Sequence, residues 1–91
     1  MRFEYKPSFE RSLKALSSQD KDKLQNALYK IIDFFATGKM TTGLGIKRLQ
    51  GNYWEARSGI RTRILFHFEK DLVQFVLAGS HDQVKRFLKR I

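Results

Sequence analysis

The stretch that decides the fold is LQGNYWEARSGIRTRILFHF, residues 49–68. Apolar and polar residues alternate along it, which is the pattern of half-buried β-strands, and the dipeptides at 51–52 and 58–59 are typical of turns. Three arginines lie within this predicted strand pair: Arg57, Arg61 and Arg63. Because a sheet gains little from so much unpaired positive charge, the arginines indicate a surface that meets an anion.

The second half of the chain is predicted to be a meander of three to four antiparallel strands. The predicted strands cover 46–49, 53–57, 61–68 and 72–78. Around residue 64, period-two geometry places Ile60, Thr62, Ile64, Phe66 and Phe68 on the core face. It places Arg61, Arg63, Leu65 and His67 on the opposite face. Whether Tyr53, Glu55 and Arg57 share that opposite face depends on strand register, which the sequence leaves open.

The first half is predicted to hold a short strand over residues 1–5 and two helices. After Pro7, Ser8 is a candidate N-cap for a helix. The apolar face of that helix would carry Phe9, Leu13 and Leu16. The second helix is predicted to begin near Asp20 and to end before Gly38.

The apolar stripe of the second helix is Leu24, Ala27, Leu28, Ile31, Ile32 and Phe35. The break at Ser17 and Ser18 is so short that we expect the two helices to form an antiparallel pair. Small residues over 41–45 predict a loop that leads into the meander.

The final segment, GSHDQVKRFLKRI over residues 79–91, predicts a short helix with Asp82 as its candidate N-cap. Its apolar stripe is Val84, Phe87, Leu88 and Ile91. His81 then lies at the junction between the last strand and this helix, where a side chain can reach the end of the sheet.

Composition and charge limit the classes of protein. A chain of 91 residues that is 42% hydrophobic is expected to form one globular domain over 1–91. It has no cysteine, so a disulfide framework and a thiolate metal site are excluded. The 18 basic residues outnumber the 9 acidic ones, and the formal net charge is +9. Such an excess predicts salt-dependent binding to a polyanion, either nucleic acid or an acidic protein segment.

The first twelve residues carry charges where a signal peptide has an apolar run, and no window reaches the length of a membrane span. We therefore expect a cytoplasmic protein without a membrane partner. The two histidines have no carboxylate at metal-site spacing, and so no metal or other cofactor is expected.

The order of these elements resembles the RelE/ParE superfamily of toxins from type II toxin–antitoxin systems. The resemblance rests on the Phe9, Leu13 and Leu16 pattern and on KRLQGNYWEARSG from Lys47, IRTRILFHF from Ile60 and AGSHDQVKRF from Ala78. It covers nearly the whole chain. It implies an α+β, RelE-like fold, in which an N-terminal strand and a helical hairpin pack on an antiparallel meander sheet with a short C-terminal helix.

The resemblance also implies a function. The ribonuclease members enter the ribosome and cut messenger RNA (mRNA) without a metal, through attack of a ribose 2′-hydroxyl on the adjacent phosphate. A cognate antitoxin neutralises them, so the implied partners are an antitoxin in a hetero-oligomer, the ribosome and mRNA. The antitoxin segment expected to cover this basic surface is acidic, amphipathic and disordered when free.

Three residues are the catalytic candidates: Arg57, Arg63 and His81. Histidine is the side chain that most often exchanges protons near neutral pH, and so His81 is assigned proton transfer. By resemblance Arg63 is the central-strand arginine, and Arg57 is a second phosphate ligand. The candidates for RNA binding are Lys47, Arg48, Arg61, Lys85 and Phe87.

Some positions depart from the ribonuclease members, and other interpretations stay open. Phe87 lies where the best-known members carry a tyrosine, and Trp54 and Ala56 lie near the catalytic lysines of one subgroup. Several of these residues also have a structural interpretation: His81 as a helix cap, Phe87 and Trp54 as core residues, and Arg57 as an ion-pair partner of Glu55. Two other functions remain: a ParE-like, non-enzymatic poison of DNA gyrase, and an unrelated nucleic-acid-binding module.

Overall fold

A five-stranded sheet forms the centre of the computed structural model, which describes residues 1–39 and 43–91. The strands are β1 (Arg2–Tyr5), β2 (Lys47–Gln50), β3 (Tyr53–Ser58), β4 (Thr62–Glu69) and β5 (Leu72–Gly79). The helices are α1 (Pro7–Leu13), α2 (Ser18–Thr37) and α3 (His81–Lys89). The strand order is β1-β5-β4-β3-β2, so the predicted α+β fold with a meander sheet is confirmed.

The strands from β2 to β5 pair antiparallel with their neighbours, and β1 adds to the edge of β5 in parallel. Parallel strands need a long connection, and here α1, α2 and the meander up to β4 supply it. Residues 41 and 42 of the predicted loop lie outside the described residues.

The two faces of the sheet are covered by different helices. On one face α1 packs on β5 and α2 packs on β3 and β4, over a core that includes Ile31, Ile64, Phe66 and Phe75. On the other face α3 packs on β4 and β5 through a smaller cluster of buried residues, Leu65, Val76 and Val84. This alternation along β4 is the period-two pattern predicted from the sequence.

Helix α1 is attached to β5 by serine side chains, which corrects the assignment of Ser8 as a cap. The N-cap is Lys6, which makes no side-chain capping bond, and Pro7 is the first helical residue. The hydroxyl of Ser8 instead donates to the carbonyl oxygen of Val76 at 2.6 Å. One turn later, the hydroxyl of Ser12 accepts from the amide of Ala78 at 3.0 Å.

Helix α2 ends before Gly38 as predicted, and it begins two residues before Asp20. The side chain of Ser17 caps the helix by accepting from the amide of Asp20, and Gly38 ends it in the left-handed conformation, with φ of 80°. The first helix is shorter than predicted: α1 ends at Leu13, so Leu16 lies in the connection, where it is half-buried against the core.

The turn between β3 and β4 is longer than predicted. Ile60 and Arg61 belong to this turn rather than to β4, and Ile60 is 93% exposed. Its assignment to the core face was therefore wrong, because the strand begins only at Thr62. No helix in the described part of the chain combines the length and apolar character that crossing a membrane requires.

The last helix is capped by Ser80, so the assignment of Asp82 as the cap was wrong by two residues. Ser80 accepts from the amide of Gln83 at 3.1 Å, and the side chain of Gln83 accepts from the amide of Ser80 at 2.7 Å. This reciprocal capping box makes His81 the first helical residue. Ile91 lies beyond the helix and is exposed.

Candidate active site

Two arginines lie side by side on the α3 face of the sheet, and we call them the arginine row: Arg57 of β3 and Arg63 of β4. The β3–β4 register pairs Arg57 directly with Arg63, and the β4–β5 register pairs Arg63 with Gly79. Adjacent strands lie about 4.8 Å apart, so the row and Gly79 together span roughly 10 Å. The register that the sequence left open thus places both arginines on one face.

Like charges directly opposite each other in a sheet are unfavourable, and one carboxylate balances this pair in part. Glu55 is 8% exposed, and its Oε2 lies 3.7 Å from Nε of Arg63. At that distance the contact is an ion pair without a hydrogen bond, and the buried Nε of Arg63 has no hydrogen-bond partner within the described residues. Two guanidinium groups against one carboxylate leave the row positive, which favours an anion.

His81 lies two residues beyond Gly79, the residue paired with Arg63. It is exposed at the start of α3, and within residues 1–39 and 43–91 its side chain makes no hydrogen bond or ion pair. A cap is therefore not the role of His81, since Ser80 takes that role. The imidazole is exposed and lies two residues beyond the strand position that pairs with Arg63.

The capping box makes His81 the first residue of α3, and Ser80→Ala tests whether Ser80 is the cap. The substitution removes one cap hydrogen bond and is expected to lower the free energy of unfolding by about 1 kcal/mol. Urea denaturation of Ser80→Ala beside Asp82→Ala is the measurement. Since Asp82 does not cap the helix, Asp82→Ala is expected to cost less, and an equal or greater cost would contradict the assigned cap.

The other predicted RNA ligands lie around this site in different settings. Lys47 is exposed on β2 and is paired with Glu55, which places it on the face of the arginine row. Arg48 alternates to the opposite face, where its Nε donates to the carbonyl oxygen of Gly51 at 2.7 Å and closes the β2–β3 turn. Arg61 is exposed in the β3–β4 turn.

On α3, Lys85 is exposed, whereas Phe87 is half-buried against the cluster that contains Leu65 and Val84. Phe87 thus contributes to packing, and its partly open ring borders a shallow cavity with Leu77 and Arg86. Trp54 packs against the main core, in agreement with its interpretation as a core residue.

Sequence reasoning missed the role of Glu55. It was interpreted as a partner of Arg57, but the structure places its carboxylate beside Arg63. The signal was present in the spacing: Glu55 and Arg57 share a face by period-two geometry, and an antiparallel register that pairs Arg57 with Arg63 makes Glu55 the diagonal neighbour of Arg63. The register itself was the missing fact.

Comparisons with solved structures identify the fold of this chain. No protein-family model and no curated protein matches the chain. Among solved structures, the E. coli DinJ–YafQ complex contains a chain that is 19% identical with a TM-score of 0.68, and the match covers 92% of this chain and 98% of that one.

The RelB–RelE antitoxin–toxin complex from Methanococcus jannaschii gives 17% identity and a TM-score of 0.69, covering 92% of this chain and 96% of the other. The YoeB–YefM complex from Staphylococcus aureus contains a chain with 13% identity and a TM-score of 0.61, and the match covers 89% of this chain and 97% of that one. The chain therefore has the RelE-like fold that the YafQ, RelE and YoeB structures share.

Proposed function

We propose that this protein is the toxin of a type II toxin–antitoxin system, and that it is a metal-independent endoribonuclease that cleaves mRNA at the ribosome and so inhibits translation. The observation that carries the proposal is the arginine row, which lies beside the strand end that leads into His81, on a RelE-like fold. Residues 1–91 would act as one toxin domain in the cytoplasm.

The reaction that suits these groups is internal transesterification of RNA. The ribose 2′-oxygen attacks the adjacent phosphorus while the bond from phosphorus to the 5′-oxygen breaks. The products are a 2′,3′-cyclic phosphate and a 5′-hydroxyl. His81 takes the proton of the 2′-hydroxyl, and the leaving 5′-oxygen gains a proton from water or from the imidazolium.

The arginines would stabilise the negative charge that grows on the phosphate oxygens in the transition state. A guanidinium presents paired N–H donors to phosphate oxygens, and the arginine row offers two such groups on neighbouring strands. Glu55 would orient Arg63 and limit the repulsion within the row. The exposed cations Lys47, Arg61 and Lys85 would hold flanking phosphates.

A cognate antitoxin is the proposed partner. The chain carries a formal net charge of +9, and an acidic segment that covers the arginine row would compete with RNA for the same charges. The resulting hetero-oligomer would be inactive. The solved complexes DinJ–YafQ, RelB–RelE and YoeB–YefM each pair a protein of this fold with a second chain.

The comparisons give no support to the ParE-like alternative, because the similar structures reported above are YafQ, RelE and YoeB proteins. Induced expression with primer extension on cellular mRNA separates the functions. New 5′ ends within translated codons, and their suppression by the neighbouring antitoxin gene, are expected. Growth arrest with DNA damage and intact mRNA would overturn the nuclease proposal.

A further inference from the structure

A polar cavity of about 230 Å³ lies between α2 and the turn that joins β3 to β4. It is lined from the helix by Lys23, Asn26 and Lys30, and from β3 by Arg57 and Ser58. Among the described residues that line it, three carry positive charge and none carries negative charge. The cavity therefore attracts an anion, and two of its three cations, Lys23 and Lys30, lie outside the arginine row.

Ser58 gives the cavity a hydrogen-bond donor without a partner. The residue is 4% exposed, and its buried hydroxyl makes no hydrogen bond within the part of the chain that the structure describes. Buried hydroxyls in folded proteins are nearly always paired, so an exception calls for an explanation. A ligand oxygen in the cavity, which Ser58 itself lines, supplies the missing acceptor.

Lys23 places its ammonium group above the same turn. A Cβ built on Gly59 would lie 3.3 Å from Cδ and 4.0 Å from Nζ of Lys23, so the lysine chain crosses directly over the glycine. Lys23, Ser58 and Gly59 also line a smaller neighbouring cavity of about 160 Å³, which contains Asp20. The carboxylate of Asp20 makes this second cavity less favourable for an anion than the first cavity.

We infer that the first cavity is a second phosphate-binding site, in which Lys23, Lys30 and Ser58 hold a backbone phosphate of the RNA strand that flanks the scissile bond. Two ammonium groups, a hydroxyl and the amide of Asn26 match a phosphate with several acceptor oxygens. Arg57 lines the cavity and also belongs to the arginine row. One RNA strand that passes the β3–β4 turn can therefore contact both the cavity and the arginine row.

This inference rests on the proposed function for the identity of its ligand, and so its test uses a strand that cannot be cleaved. Fluorescence anisotropy with a 2′-O-methyl oligoribonucleotide measures affinity over a series of salt concentrations. The double variant Lys23→Gln with Lys30→Gln is expected to bind about tenfold more weakly, and the slope of log affinity against log salt is expected to fall by about 0.7 for a lost phosphate contact.

The matched control removes the same charge elsewhere. Lys14→Gln with Lys21→Gln changes two exposed lysines that do not line the cavity. Its loss in log affinity for the oligoribonucleotide is expected to be less than half that of the cavity double variant. Equal weakening in the two double variants would overturn the site, because it would show only an effect of net charge.

Titration with inorganic phosphate, at constant ionic strength, gives a second readout. The amide NMR signals of residues 58 and 59 are expected to shift in the full chain and to shift less in Ser58→Ala. No shift, or cavity variants that lose affinity for an antitoxin but not for RNA, would overturn the inference. A chain that binds at the cavity but leaves mRNA intact would overturn the proposed nuclease function instead.

Discussion

Replacing His81 with alanine is expected to lower the rate of RNA cleavage by about 10²–10⁴-fold, the usual effect of removing a general base. The fold should not change, since His81 is exposed and its side chain makes no hydrogen bond or ion pair within the described residues. Single-turnover cleavage of mRNA on translating ribosomes measures the rate, and circular dichroism checks the fold.

The control for His81→Ala is Asp82→Ala, one residue along α3. Asp82 is also exposed and does not cap the helix, so its loss is expected to leave the cleavage rate within about twofold, as for a surface substitution away from the site. Full activity of a folded His81→Ala variant would remove the imidazole from the chemistry. A similar loss in both variants would show that the helix terminus, rather than the histidine, matters.

Arg63→Ala is expected to have two separate effects. Cleavage should fall by about 10²–10³-fold because a donor to the transition-state phosphate is lost. The free energy of unfolding should fall by about 1–3 kcal/mol, because the nearly buried carboxylate of Glu55 then loses its charged partner. Urea denaturation and single-turnover cleavage measure the two effects independently.

A double variant separates stability from chemistry. Adding Glu55→Gln to Arg63→Ala removes the unpaired charge, so most of the lost stability is expected to return while cleavage stays low. Arg63→Lys keeps the charge but not the planar fork of donors, and its rate is expected to lie between those of wild type and Arg63→Ala. Recovery of cleavage together with stability would show that Arg63 is structural.

The elements of this fold were predictable where a local pattern determines them. Strand β4 carries apolar residues with period two at 64, 66 and 68, and α2 ends before Gly38 as the sequence predicts. Such signals act within a few residues, so the chain order and approximate bounds of the strands and helices follow from sequence. The RelE-like resemblance then supplied the arrangement of these elements.

Contacts between distant residues could not be predicted in the same way. Ser8 has the residue type of a cap, but its hydroxyl binds Val76, 68 positions away. Ser80 and Asp82 are both good N-cap residues, and the capping box with Gln83 decides between them. The pairing of Arg57 with Arg63 depends on a register that a one-residue longer turn would change, so the composition of the candidate site needed the structure.

The most direct test of the central claim is the chemical nature of the RNA ends that the purified chain produces on translating ribosomes. The account predicts a 2′,3′-cyclic phosphate on the upstream fragment and a 5′-hydroxyl on the downstream fragment, and it predicts that both are lost in His81→Ala and Arg63→Ala. Fragments with a 5′-phosphate would contradict it. So would mRNA that the purified wild-type chain leaves uncleaved on translating ribosomes.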